Sequence, residues 1–417
     1  MAHRIVIIGA GFGGLQAAQS LADSGCDITL IDQRNYHLFQ PLLYQVATTL
    51  LTTSDIAWPI RSVMRDRRDV TTLLATVNGV DRVDRKVLLK DGEAVPYDTL
   101  IIATGARHAY FGNDQWEKDA PGLKTLEDAT TIRRRLLLAF ERAELTRDEA
   151  ERARHMTFAI IGAGPTGVEL TGIIAELAHK VLPAEFRDID TRKARVLLIE
   201  AGPRVLPAFA EDLSHYTVKA LEKLGAEVHV GKPVTHIDAE GITLGSEVIP
   251  AATVVWAAGV KASPAATWLE TSADRAGRVI VNEHLQIEGE PDIYIIGDTA
   301  SVASNGNVVP GVAPAAKQQG QFVARRIKAM LAGKVHEKPF RYRHMGNLAT
   351  IGRNAAVIEM GRLKLKGTPA WWVWGAAHIH FLIGVRARMM VTLSWLWSFL
   401  RRQNTARLIT QRETLRD

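Results

Sequence analysis

Two short glycine-rich segments carry the chemistry that can be read most directly from this chain. The first is Gly9-Ala10-Gly11-Phe12-Gly13-Gly14, after the apolar run Ile5 to Ile8. The second is Gly162-Ala163-Gly164-Pro165-Thr166-Gly167, after Phe158 to Ile161. Each has the spacing G-x-G-x-x-G between a strand-like run and a helical pattern. In that setting the first glycine (Gly9, Gly162) permits a tight turn and the second (Gly11, Gly164) lets the backbone approach a pyrophosphate. The third (Gly14, Gly167) lets helix pack on strand, with the helix N-terminus facing the phosphate charge. A further apolar run follows each segment and ends in an acid, Ile28 to Asp32 and Val196 to Glu200. A carboxylate there accepts the ribose hydroxyls of an adenosine. Two such units imply two dinucleotides held at once, a flavin and a nicotinamide, and hydride transfer between them.

The elements that must position these residues repeat. Leu100-Ile101-Ile102 reads as a buried strand stopping in the small-residue turn Ala103-Thr104-Gly105, and Val254-Val255-Trp256 runs into Ala257-Ala258-Gly259 in the same way. Asp292 to Ile296 is another buried strand, ending in Gly297-Asp298, before a helical pattern over 313–332. The spacing from third glycine to acid is 18 residues in the first unit and 33 in the second. The fingerprint expects about 20, so Glu200 is the less regular of the two acids. The fold class is α/β, with two Rossmann-like dinucleotide-binding domains, the second inserted within the first. The expected boundaries are 1–118 with 262–340 for the flavin domain, 119–261 for the nicotinamide domain, and 341–417 for a C-terminal region.

That last region has its own texture. Residues 341–417 hold 13 Lys and Arg against 3 Asp and Glu, while the whole chain is only +6. They also hold five of the nine tryptophans: Trp371, Trp372, Trp374, Trp395 and Trp397. Gly367-Thr368-Pro369 opens a helix, with Thr368 as N-cap. The apolar runs up to Val385 and from Met389 to Leu400 each fall short of the roughly 20 residues that span a bilayer. Arg386 and Arg388 part them, and Arg401 and Arg402 close the second. One or two helices lying in one leaflet's interface fit this pattern, with the aromatics down and the arginines at the headgroups. A helix pair packed on the body or used for dimerisation is the plainer reading. The aromatic clustering favours membrane over nucleic acid as the partner of the basic region. No secretory leader is evident at the N-terminus, and no metal-binding signature occurs.

Where the electrons go next is restricted by Cys26, the only cysteine. A disulfide-reducing relative of this fold needs a cysteine pair soon after the first acid. The stretch from Asn35 to Gln45 has none, so a diffusing acceptor is expected instead. At this point the chain resembles the type II NADH:quinone oxidoreductases, the single-subunit, non-pumping NADH dehydrogenases. The matching stretches are Asn35 to Thr48, Gly162 to Gly172, Ile199 to Pro207, Tyr294 to Ala300, Ala313 to Gly320 and Gly367 to Arg388. The resemblance implies the glutathione-reductase-like flavoprotein fold, non-covalent FAD in the first site and NADH in the second. It further implies quinone reached from the membrane and a homodimer peripheral on the cytoplasmic side of the cell inner membrane.

Carried onto this sequence, Gly9, Gly11, Gly14, Asp32, Ala103, Thr104, Gly105, Gly297 and Asp298 would serve FAD. Gly162, Gly164, Gly167 and Glu200 would serve NADH, although Arg204 nearby weakens the charge argument against NADPH. Ala313 to Gly320 matches the family's A-x-x-A-x-Q-x-G quinone motif. That places Ala315, Ala316, Gln318 and Gln319 around the quinone, Gln318 at its head group. Glu169 alone reads as a helix-first-turn acid favoured by the macrodipole; the resemblance sets it between nicotinamide, flavin and quinone. No C-terminal lysine aligns with the one some members carry near the quinone; His378 and His380 fall there and read equally as interfacial or core histidines. The rival readings are a soluble NAD(P)H-dependent flavin reductase passing electrons to a protein acceptor or to oxygen, and a redox-sensing flavoprotein.

Overall fold

A computed structural model describes residues 2–334, 337–401 and 406–409, without the side chains of 399–401. Contacts divide the chain into two units. The first comprises 1–38, 57–107 and 260–345. The second comprises 39–56, 108–259 and 346 onward.

The first unit is built on a six-stranded sheet in the order Gln286–Ile287, Glu290–Ile295, Thr99–Ile102, Arg4–Ile8, Asp27–Asp32, Val70–Leu74, with only the first pair antiparallel. The central strands are apolar on both faces because both are covered. Val6, Ile8, Leu100, Ile102 and Ile293 join the core beneath the small antiparallel sheet of Val77–Asp81, Lys86–Leu89 and Ala94–Pro96. Helix Phe12–Ser20 packs along helix Ala313–Leu331. Their approach requires small residues: a Cβ on Gly320 would stand 2.5 Å from the Gly13 carbonyl oxygen. Cys26 is buried at the foot of Asp27–Asp32.

The second unit repeats the plan with four parallel strands, Ala226–Val230, Arg195–Glu200, Thr157–Ile161 and Thr253–Trp256. Trp256 closes its core, with its indole N–H donating to the Ala109 carbonyl oxygen at 2.9 Å. Residues 346 onward form an antiparallel sheet, Asn347–Ile351, Ala355–Met360 and Leu363–Gly367, followed by helices Thr368–Phe381 and Val385–Arg401.

Three sequence expectations need adjustment. Residues 39–56 and 108–118 group with the second unit rather than the first, the former because the short helix Leu43–Ala47 packs on Leu126–Leu145 and Pro165–Glu176. The region after 345 is part of that unit and not a separate body. Gly367, at φ +77°, is the N-cap of the first tail helix, and Thr368 is already helical with no capping bond.

Candidate functional site

The two fingerprints have nearly superimposable local geometry. In the first unit Gly9 sits at φ +99°, where a side chain is strained, and its N–H donates to the Ile31 carbonyl oxygen at 2.7 Å. A Cβ on Gly14 would fall 1.8 Å from the Gly9 oxygen, whereas one on Gly11 would meet nothing within 4 Å. Gly11 is thus an open cradle at the start of helix Phe12–Ser20, whose N-terminus no side chain caps. In the second unit Gly162 has φ +101° and donates to Ile199 at 2.7 Å. A Cβ on Gly167 would again fall 1.8 Å from the first glycine's oxygen, and Gly164 is again open. Helix Pro165–Glu176 starts there, likewise without a side-chain cap. Each donor set fits a pyrophosphate.

The acids follow suit. Asp32 accepts from the Ala10 N–H at 2.7 Å and from Arg34 N–H at 2.8 Å. Burial raises its pKa, which these amides partly offset. Glu200 accepts from Ala163 N–H at 2.7 Å and from Gly202 N–H at 2.7 Å. The 33-residue gap therefore changes nothing at the site: the added chain is spent on a π-turn at Leu177–Val181 and short turns before Arg195–Glu200. Arg204 is turned away, bonded to the Phe209 and Pro207 carbonyls and to Ser214 Oγ.

Around the first fingerprint, Gly105 takes φ +70° and Gly297 φ +74°. The Thr104 hydroxyl lies 2.5 Å from Ser263 Oγ and 3.3 Å from Thr299 Oγ1, tying the turn at 103–105 to Gly297–Thr299. Asp298 backs onto Gly311, where a Cβ would stand 3.1 Å from its Oδ1. Beside Asp32 a recess is lined by Gln33, Leu74, Ala75, Thr76, Lys90 and Asp91.

The stretch 313–320 has structural duties that its motif did not disclose. Ala315 and Ala316 are buried, and Ala316 faces Gly13 and Gly297. Gln319 is also buried and accepts the Gly297 N–H at 2.5 Å. Gln318 accepts the Arg343 N–H at 2.9 Å and donates to the Arg343 carbonyl oxygen at 2.9 Å, so both ends of its amide are engaged by backbone. The small residues expected to admit a quinone also let two helices meet.

His37 and Lys317 also stand beside the first fingerprint. His37 donates from Nδ1 to the Ala10 carbonyl oxygen at 2.8 Å and meets Phe12 edge-on. Burial takes its pKa down to about 4. The Lys317 ammonium stands 5.5 Å from the Phe12 ring centre. A histidine five residues after the first acid was visible in the sequence, but nothing in its spacing marked it.

In the second unit Glu169 is the fifth residue of helix Pro165–Glu176, and the first turn holds no acid. The helix-dipole explanation therefore does not apply. Glu169 is buried, and burial raises its pKa to about 8 against one long hydrogen bond, 3.4 Å, from the Thr350 N–H. It is thus a carboxylic acid at neutral pH. Thr350 in turn meets the Tyr44 hydroxyl at 2.9 Å.

The tail helices correct one expectation and refine another. Trp374 and Trp395 are buried and lie against each other with ring centres 5.2 Å apart, so they are core residues of the helix pair, not interface aromatics. Trp372, Val385, Met389, Leu393, Leu396 and Trp397 form the exposed apolar set. Arg388 caps the first helix through the Leu382 and His380 carbonyls, while Arg386 is exposed. The Arg401 side chain and Arg402 lie outside the described residues. His378 stacks on Trp374 at 4.2 Å and donates to its carbonyl oxygen; burial lowers its pKa to about 4. His380 is exposed. Among the described residues no helix is long and apolar enough to cross a membrane.

The paired fingerprints on two parallel sheets define a two-dinucleotide flavoprotein, and residues 3–320 match the pyridine nucleotide-disulphide oxidoreductase family. Residues 344–403 match the NDH2 C-terminal domain. Two type II NADH:quinone oxidoreductases of Mycobacterium tuberculosis are each 43% identical to the chain, over 98% of it and 89% of one relative, and over 99% and 91% for the other. The solved structure of NDH2 from Plasmodium falciparum in complex with NADH shares the fold at a TM-score of 0.88, covering 99% of this chain and 100% of that one at 21% identity. The chain belongs to the type II NADH:quinone oxidoreductase family.

Proposed function

We propose that this protein oxidises NADH and passes the electrons through bound FAD to a quinone. The observation that carries this reading is the repeated carboxylate–amide pair, Asp32 with Ala10 and Glu200 with Ala163, in a chain whose single cysteine leaves no disulfide chemistry. FAD supplies a two-electron carrier that accepts hydride from NADH and gives the electron pair to quinone. Gly9, Gly11 and Gly14 with Asp32 bind it in this reading, assisted by Ala103, Thr104, Gly105, Gly297 and Asp298. Gly162, Gly164 and Gly167 with Glu200 bind NADH.

Reducing a quinone to a quinol takes two electrons and two protons, and hydride brings only one proton. Glu169 holds a proton at neutral pH and is our candidate to deliver or position the second. Gln318 is assigned to the quinone half of the reaction through the segment it holds at Arg343; Ala315, Ala316 and Gln319 support the packing around it.

The finer reading is a homodimer peripheral to one leaflet, on the cytoplasmic side of the cell inner membrane. Its support is the exposed apolar set on the tail helices beside the excess of Lys and Arg. Sedimentation in detergent tests the dimer. Steady-state turnover of NADH and NADPH against a panel of short- and long-tailed quinones tests the activity. Turnover with a soluble protein acceptor but with no quinone would return the reading to a soluble flavin reductase.

A further inference from the structure

Four side chains connect the second tail helix to Glu169. The Trp395 indole N–H donates to Gln45 Oε1 at 2.7 Å. An indole can only donate, so the amide orientation is fixed and Gln45 presents its NH2 to the Tyr44 hydroxyl, at 3.0 Å. The phenol that accepts this bond also meets Thr350 Oγ1 at 2.9 Å, where either hydroxyl can donate. The Thr350 main-chain N–H is the donor that reaches Glu169. The indole and amide donors point inward from the tail helix, and the Thr350 N–H points on to Glu169. Tyr44, Gln45, Thr350, Glu169 and Trp395 are all buried, so each bond is made in a medium where its partner's loss is costly.

We propose that Tyr44 is a positioning residue for Glu169, and that the Gln45–Trp395 bond makes its orientation depend on the seating of the second tail helix. The inference rests on the role given above to Glu169. The helix that carries Trp395 inward carries Leu393, Leu396 and Trp397 outward, so whatever seats the outer face also sets the inner bond. Tyr44 is itself held neutral, its pKa raised by burial and by the neighbouring Glu169. Glu176, about two turns along the same helix, is bonded to Arg353 and paired with Lys180.

The test uses full-length holoenzyme carrying Tyr44→Phe, Trp395→Phe or both, with Glu169→Gln as reference. Tyr44→Phe keeps the ring and removes one polar atom, Trp395→Phe removes the N–H together with part of the indole, and thermal melting confirms folding. Stopped flow should show flavin reduction by NADH unchanged and reoxidation by a short-tailed quinone slowed about fivefold by either variant, as expected for one buried hydrogen bond. The double variant should be no slower than Tyr44→Phe, because Trp395 acts through Tyr44. The pH limb belonging to Glu169 should move upward in Tyr44→Phe, because Thr350 loses its Tyr44 bond and its N–H, which favours the carboxylate, is held less closely to Glu169. Additive losses, or a Tyr44→Phe pH profile like wild type, would overturn the proposal. If Glu169→Gln itself leaves the profile unchanged, the role given to Glu169 fails instead. Gln45→Leu provides a second break in the run and should match Trp395→Phe; a wild-type reoxidation rate in it would also overturn the proposal.

Discussion

The Glu200 carboxylate accepts the Ala163 and Gly202 amides, each at 2.7 Å, while Arg204, four residues on, is committed to two carbonyls of its own loop and to the Ser214 hydroxyl. A nucleotide bearing a 2′-phosphate would meet a fixed negative charge with no guanidinium turned towards it. NADH should therefore be preferred to NADPH in kcat/KM. Glu200→Gln should narrow the ratio by about tenfold, or ~1.4 kcal/mol. Equal use of both nucleotides by wild type would show that Glu200 does not read the ribose.

Glu169 links activity to stability. The unfolded chain releases this proton near the ordinary glutamate value, 4.5, while the folded chain holds it to about 8. Between those values the native state binds more protons, so stability falls as pH rises through the window. Glu169→Gln should flatten that part of the melting-temperature profile. The same variant should slow quinone reduction about 10²-fold at neutral pH and leave flavin reduction by NADH intact.

The neighbouring glutamines should separate. Gln319→Leu strands the Gly297 N–H, at an expected cost of about 1–3 kcal/mol, and should weaken FAD retention on dilution, measured by flavin fluorescence. Gln318→Ala should keep FAD and slow only the reoxidation half-reaction. Equal slowing of both halves would assign Gln318 to packing alone.

His378 makes the tail acid-sensitive. Its folded pKa, lowered to about 4 from 6.5, means that the stability it contributes is complete above 6.5 and is lost as pH falls from there towards 4. Tryptophan fluorescence of the Trp374–Trp395 pair should report loosening in that range. His378→Phe should retain the stack and suppress the pH dependence.

Membrane attachment is better tested by substitution than by truncation, because removing the tail would also remove the buried Trp374 and Trp395. Trp372→Ser with Met389→Ser, both from the exposed set at 61% and 59% exposure, should weaken flotation with anionic vesicles and raise KM for long-tailed quinones more than for short ones. High salt should release wild type only in part, since apolar burial is unscreened. Complete release by salt would reduce the contact to electrostatics.

Both fingerprints, their acids and the turns at Gly105 and Gly297 were legible in the sequence because each is set by local rules. Positive φ demands glycine, close helix–strand packing demands the absence of a side chain, and a buried parallel strand reads as an apolar run. The same logic misread Thr368 by one position and did not disclose that the small residues of 313–320 also serve packing, because helix–helix packing and ligand approach require the same residue types. Trp374 and Trp395 were grouped with the surface aromatics for a similar reason: composition counts tryptophans but does not say which helical face each occupies.

The sequence by itself determined the cofactor chemistry, the pairing of two dinucleotide units and the exclusion of a disulfide. What only the tertiary structure decided is which polar groups lose their water and find each other. Glu169 is pushed towards its protonated form by burial beneath distant segments such as that of Thr350, 181 positions away in the chain, and this outweighs the carboxylate-favouring bond from the Thr350 N–H. Burial is a property of what packs on a residue, and no local pattern encodes that.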